Sequence, residues 1–164
     1  RMRTLLAAAL LATSACATAT ASDLSLDTNI RFDASLDALR PVFDQACTSW
    51  EAVTLDPAEL PIAQNSHVQV NCQGFQHSGG ARLAEFVFAD DSMAFVWVLI
   101  DESELDGFAA DLSSVYGDPT HDTAMFTAFA DNNTALRRDI PEFLFYSDTI
   151  APMYRGWFDQ MAAQ

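Results

Sequence analysis

The sequence contains no lysine, and its eight basic residues are all arginine. They are outnumbered by 23 acidic residues, so the formal net charge at pH 7 is −15. A surface this acidic repels nucleic acid and anionic lipid, and we therefore expect no nucleic-acid partner. Half of the residues are apolar, which predicts a folded domain rather than a disordered chain.

Long apolar runs are also missing. The run at residues 5–12 is too short to span a membrane, and no later segment is long enough, so we expect no integral membrane span. This run follows a basic start and precedes a tail of small residues, which is the pattern of a secretory signal peptide. We expect residues 1–21 to be cleaved after Ala21. Their removal takes away two arginines and no acid, so the net charge becomes −17.

Cysteine is scarce, with only three residues. Cys16 lies in "TSAC", which is also compatible with a lipoprotein signal that would anchor the chain through a lipid on Cys16. Cys47 lies on the apolar face of the helical pattern "SLDALRPVFDQACTSW", and Cys72 lies on the apolar face of the alternating segment "HVQVNC". An even pair favours a disulfide in an oxidising compartment. We therefore predict a Cys47–Cys72 disulfide and a periplasmic or secreted location.

Six segments predict strands and three amphipathic segments predict helices. The strands are expected in "HVQVNC", "ARLAEFVFA", "MAFVWVLI", "TAMFTAFA", "TALRRD" and "PEFLFYS". Besides the first helix, "DESELDGFAADLSSVYGDP" predicts a helix capped by Asp101 and Glu104, and "DTIAPMYRGWFDQMAA" predicts another that Asp148 could cap. Residues 22–34 are expected to form a short edge strand or a loose arm. Residues 53–66 and "GFQHSGG" are expected to be loops.

The order of these elements predicts the fold class. Short turns between successive strands favour an antiparallel sheet, so residues 22–164 are expected to form a single α+β domain. We expect a sheet of about six strands with helices packed on one face. The order helix, three strands, helix, three strands, helix suggests a duplicated unit of one helix plus three strands, although the two halves share no residue pattern.

Motifs for catalysis or for cofactor binding are missing. There is no G-x-S-x-G elbow, no phosphate-binding loop and no dinucleotide fingerprint. His67, Cys72 and His77 do not predict a metal site, because a strand sends His67 and Cys72 to opposite faces. The acidic segment "DESELDG" fails the calcium-loop pattern at Leu105 and Asp106. We expect no catalytic residue, no metal and no cofactor.

Five residues are candidates for a binding site. "MAFVWVLI" is apolar on both faces, which is typical of a central strand. If helices cover only one side of the sheet, Phe95, Trp97 and Leu99 would form an exposed patch for a partner or a hydrophobic ligand. Arg137 and Arg138 stand out on an acidic chain, and on a strand they point to opposite faces, so that one could bind an anionic group.

The sequence thus predicts an exported bacterial envelope protein that acts as a non-catalytic binding or interaction module. Its partner would be an unknown protein or a small apolar ligand, because no catalytic motif is present and one sheet face is expected to be apolar and exposed. An envelope accessory lipoprotein anchored through Cys16 and a small periplasmic hydrolase are the alternatives.

Overall fold

The computed structural model describes residues 21–164, which form four α-helices and one eight-stranded sheet. The helices are α1 (Ala21–Leu24), α2 (Leu36–Ala46), α3 (Leu105–Tyr116) and α4 (Ala151–Ala162). The strands are β1 (Ser49–Leu55), β2 (His67–His77), β3 (Gly80–Ala89), β4 (Ser92–Leu99), β5 (His121–Asp122), β6 (Phe126–Phe129), β7 (Thr134–Arg137) and β8 (Glu142–Tyr146). Residues 1–20 of the predicted signal peptide, with Cys16, lie outside the described residues.

The strands pair in the order β1-β2-β3-β4-β8-β7-β6-β5, and all neighbours are antiparallel. The α+β class and the antiparallel sheet predicted from the sequence are confirmed. The prediction of about six strands missed the two edge strands, β1 and β5. β1 is mostly exposed and continues directly from the helical pattern that ends at Trp50, and β5 has only two residues, too few to show an alternating pattern.

The two halves of the described chain have the same order of elements. α2 leads into β1–β4 and α3 leads into β5–β8, and the halves meet where β4 pairs with β8. The predicted unit of one helix plus three strands is therefore one strand short. The duplication itself stays a hypothesis.

Helices cover both faces of the sheet, which corrects the prediction that they pack on one face. α1, α2 and α3 lie on one face, whereas α4 packs on the other through Tyr154 and Phe158. The reason lies in the central strands, where Val96 faces one side and Phe95 and Leu144 face the other, all of them buried. Strands that are apolar on both faces need apolar cover on both faces.

The predicted disulfide between Cys47 and Cys72 is present, with 5.4 Å between the two Cα atoms. It joins Cys47, the residue that follows α2, to the middle of β2. Phe43, one helical turn before Cys47, packs on Phe86 with 4.9 Å between ring centroids. The bridge therefore holds α2 against the aromatic layer that it covers.

The start of α3 agrees with the sequence prediction, and the start of α4 does not. The Asp101 carboxylate accepts the Ser103 N–H at 2.9 Å, while the Glu104 carboxylate accepts the Asp101 N–H, which completes the capping box. Asp148 is not the cap of α4, which begins three residues later without a side-chain cap. The carboxylate of Asp148 instead accepts a hydrogen bond from the Asn133 amide at 2.6 Å.

The segment "GFQHSGG" is only partly a loop, because β2 continues to His77. A bulge near Gly74 makes this continuation fit the sheet, and Gly74 has a φ of +71°. A Cβ atom at this position would lie 2.5 Å from the Thr48 side chain, so glycine is required there. The turn into β3 is made by Ser78 and Gly79, whose φ values of 48° and 77° are typical of a tight hairpin.

Residues 22–34 form neither an edge strand nor a loose arm. After α1 the chain crosses the face that α2 and α3 cover, where Leu24 and Ile30 are buried in the same apolar layer. Met93 fixes this segment by backbone hydrogen bonds to Asp33 and Ala34 of 2.9 and 3.0 Å. The apolar residues that suggested an alternating strand are therefore part of the core.

Candidate functional site

An apolar groove lies between α4 and the connection from β1 to β2. Its volume is about 560 Å³, and none of its lining residues is charged. Phe95 on β4 forms the floor. The walls are formed by Leu60, Pro61 and Ile62 on one side and chiefly by Met153, Tyr154 and Trp157 of α4 on the other. Met153 and Trp157 are 41% and 39% exposed, so the α4 wall is open to solvent.

Two carboxylates hold the β1–β2 connection in place. Asp56 accepts a hydrogen bond from the backbone of Ala58 at 2.9 Å and so caps the start of the short helical turn that leads to the groove wall. Asp90, in the tight turn between β3 and β4, accepts backbone N–H groups from all of the residues 64–66 at 2.6–3.2 Å. These hydrogen bonds hold the pKa of Asp90 below its ordinary value.

A row of polar side chains crosses the same sheet face beyond the groove. Glu51, Asn71, Glu85 and Trp97 are successive cross-strand neighbours on β1, β2, β3 and β4. Asn71, Glu85 and Trp97 are each partly exposed, because α4 covers only the other half of this face. The row is thus an open platform with the indole of Trp97 at the end nearest the groove.

The groove and the platform are continuous. The ring of Phe95 lies edge-on to Trp97, with 5.9 Å between centroids, and lies 6.1 Å from Tyr154. Burial raises the pKa of the Tyr154 phenol, and the charges of Glu142 and Arg137 also act on it. A ligand that leaves the apolar groove along Phe95 therefore reaches Trp97 and a set of charged groups.

Arg137 is the cation of this charged set, and it is fully paired. Its guanidinium lies 2.7 Å from a carboxylate oxygen of Asp139 and 3.1 Å from one of Glu142, and its central carbon lies 5.6 Å from the centre of the Trp97 ring. Glu142 is only 4% exposed. Burial raises the pKa of Glu142 to about 7, although Arg137 opposes the shift, and the negative charges of Glu85 and Asp139 add to it.

Glu85 has no cation of its own. Among the described residues it forms no hydrogen bond and no ion pair. Burial raises the pKa of its carboxyl, since the side chain is only partly exposed beside Trp97. Glu85 is therefore a carboxylate without a paired cation, on the platform that adjoins the groove.

Replacing Arg137 tests this electrostatic arrangement. We expect Arg137→Gln to move the pKa of Glu142 further upward, because the arginine charge and its hydrogen bond both favour the ionised carboxyl. The measurement is a pH titration of glutamate side-chain carbons by NMR. Arg138→Gln is the matched control, because Arg138 pairs with Asp122 at 3.0 Å instead. An unchanged Glu142 titration in Arg137→Gln, or an equal change in Arg138→Gln, would contradict the arrangement.

The structure brings four of the five predicted binding residues to one face. Phe95 forms the groove floor, Trp97 lies beside it, Leu99 is the cross-strand neighbour of Glu142, and Arg137 lies over Trp97. Arg138 lies apart from these four residues, because its guanidinium donates hydrogen bonds to Asp122 and Thr127. Because the carboxylates pair with both arginines, neither guanidinium is left as an open anion site.

Sequence reasoning missed the two glutamates and both groove walls. Glu85 and Glu142 are each the only acid of a strand that is otherwise largely apolar, and that pattern could have marked them. The walls gave no comparable signal. They come from residues 60–62 and from α4, which approach each other only in the folded chain.

The histidines of β2 do not form a metal site. Cys72 is consumed by the disulfide, and His77 is enclosed by the rings of Phe143 and Phe145 at 4.9 and 5.3 Å. The ring of His67 lies 3.3 Å from the backbone oxygen of Asp56. Among residues 21–164, no group of three or more His, Cys, Asp or Glu side chains is arranged to hold a metal ion.

The third histidine, His121, lies between a carboxylate and a hydroxyl. Its Nε2 lies 2.7 Å from Asp159, and its Nδ1 lies 3.0 Å from the Thr120 hydroxyl. That hydroxyl donates to the Ala128 carbonyl at 3.0 Å and accepts the Ala130 N–H at 3.0 Å. The backbone of residues 128 and 130 therefore fixes the position of the Thr120 hydroxyl. The pair of His121 and Asp159 ties β5 to α4.

Comparisons with protein-family models, with curated proteins and with solved structures find no significant match to this chain. The groove and the platform are therefore the features from which a function can be inferred. Across the part of the chain that the structure describes, no helix is both long enough and apolar enough to cross a membrane.

Proposed function

We propose that this chain is an exported envelope protein that acts as a non-catalytic binding module, and that the groove over Phe95 takes the apolar part of a small ligand. The observation that carries the proposal is an uncharged groove of about 560 Å³ that is open to solvent. Ligand sites typically have volumes of roughly 300–1,000 Å³, apolar walls and a few polar groups at one end. The charged platform beside Trp97 supplies that polar end.

Export is supported by the Cys47–Cys72 disulfide, because such bonds persist chiefly in oxidising compartments. A binding role is supported by the exposed aromatic wall. Monomeric proteins seldom leave adjoining large apolar side chains such as Met153 and Trp157 exposed without a use for them.

Gly156 offers a way to close the groove without damaging the fold. It lies in α4 at the groove wall, and a Cβ atom there would meet no other atom within 4 Å. We expect Gly156→Leu to weaken binding of the neutral fluorescent probe N-phenyl-1-naphthylamine by about tenfold, the effect of losing roughly 55 Å² of apolar contact. The dissociation constant is measured by fluorescence titration.

Gly107 provides the matched control. It lies in α3 on the opposite face, and a Cβ atom there also meets nothing within 4 Å. Gly107→Leu gives a similar gain in helix propensity but leaves the groove open. If the wild-type chain does not bind the probe, or if both variants bind it equally well, the groove is not the ligand site.

A further inference from the structure

We propose that the ligand is a cationic amphiphile, a small molecule with an apolar tail and one ammonium or guanidinium group, and that Glu85 selects the cation. This inference rests on the proposed function, because the apolar tail is placed in the groove over Phe95. It goes further by assigning the chemistry of the head group and the residue that recognises it.

The position of Glu85 relative to the groove supports this assignment. Glu85 on β3 is the direct cross-strand neighbour of Trp97 on β4. Such neighbours have Cβ atoms about 5 Å apart. The indole of Trp97 is in turn 5.9 Å from the ring of Phe95 on the groove floor. A tail lying over Phe95 therefore places its head group beside Trp97, within reach of the Glu85 carboxylate.

The charged groups around Trp97 include one carboxylate more than the nearby arginine can pair with, which favours binding of a cation. Arg137 is already neutralised by Asp139 and Glu142, at 2.7 and 3.1 Å. Glu85 is left with no partner among the described residues. A partly buried carboxylate without a partner is costly, and an ammonium or guanidinium group from a ligand would remove that cost.

The described part of the chain has almost no spare cation to serve instead. Of the six arginines among residues 21–164, five lie in ion pairs with carboxylates: Arg40, Arg82, Arg137, Arg138 and Arg155. The net charge of −15 also attracts cations to the surface and repels carboxylate or phosphate head groups. An anionic ligand is therefore disfavoured both locally and over the whole surface.

Three compounds with one tail and different heads test the proposal: octylamine, octanol and octanoate. Binding to the full exported chain is measured by calorimetry at about pH 8, where the amine is protonated. We expect octylamine to bind about tenfold more tightly than octanol, and octanoate to bind most weakly. Glu85→Gln should remove the advantage of octylamine and leave octanol binding unchanged.

Glu102→Gln is the matched control, because Glu102 is an exposed carboxylate in the turn before α3, away from the groove. If octylamine and octanol bind the wild-type chain equally, or if Glu102→Gln acts like Glu85→Gln, the assignment of Glu85 is wrong and the groove proposal stands. If none of the three compounds binds, the proposed function itself fails, and this inference fails with it.

Discussion

Removal of the Cys47–Cys72 disulfide is expected to lower the free energy of unfolding by about 3.5 kcal/mol. The two cysteines are separated by 25 residues in sequence, and the chain entropy of a closed loop of that length gives this value. Cys72 is fully buried beneath α2, so reduction also frees the helix from the aromatic layer that contains Phe43 and Phe86. A small domain is typically stable by about 5–15 kcal/mol, so the loss is a large share of the total.

Urea denaturation of the Cys47→Ala, Cys72→Ala double variant measures this loss. Both proteins should begin at Ser22, without Cys16, so that no third thiol can exchange with the bridge. The wild-type chain treated with a reductant is a second comparison that leaves every other side chain in place. A loss smaller than about 1 kcal/mol in both comparisons would show that the bridge does not hold α2 on the sheet.

The contribution of His77 to the free energy of unfolding is expected to fall by about 3 kcal/mol when the pH is lowered from 7 to 4. His77 is 6% exposed and lies among the rings of Phe75, Phe143 and Phe145. Burial lowers the pKa of His77 from 6.5 to about 4, and the charge of Arg82 adds to this, although the backbone of residues 24 and 25 favours the charged form.

The direction of this pH effect follows from how the folded and unfolded chains bind a proton at His77. Between pH 6.5 and about pH 4, His77 binds a proton in the unfolded chain but remains neutral in the folded chain. Its contribution to stability is therefore present above pH 6.5 and is lost as the pH falls toward 4. Glu142 acts in the opposite direction, because its raised pKa of about 7 makes the folded chain hold that proton more readily.

Comparison with His77→Leu separates the two groups. Glu142 is present in both proteins, so its effect cancels when the free energies of unfolding are subtracted at each pH. We expect the wild-type chain to lose stability relative to His77→Leu by about 3 kcal/mol between pH 7 and pH 4. A difference that does not change with pH would show that His77 is not buried in its neutral form.

Local patterns predicted those parts of the fold that depend on neighbouring residues. The capping box of Asp101 and Glu104 and the alternation that ends at Cys72 both appear within a few positions, and both are present in the structure. The side of the sheet that α4 covers could not be inferred from its apolar stripe, because a stripe shows that a helix packs but not on which face. β1 was missed because an exposed edge strand has only a weak alternation.

The candidate site also contains some residues that the sequence predicts and others that only the tertiary structure reveals. Phe95, Trp97 and Leu99 could be named because their strand is apolar on both faces, and each apolar face needs either cover from the fold or a partner. Glu85 could not be separated from an ordinary surface acid, since its significance comes from Trp97 on the next strand and from the lack of a nearby cation. The groove needs residues 60–62 and α4 together, and only the tertiary structure brings them together.

The indole N–H signals of the three tryptophans, followed by NMR during titration with octylamine, show whether the ligand lies in the groove. Trp157 lines the groove and Trp97 adjoins its floor, whereas Trp50 lies on the opposite face, bonded to Asp44 and packed on Phe43. We expect the signals of Trp97 and Trp157 to shift in a saturable way while that of Trp50 stays in place. Unmoved signals from Trp97 and Trp157, or an equal shift of Trp50, would contradict a ligand site in this groove.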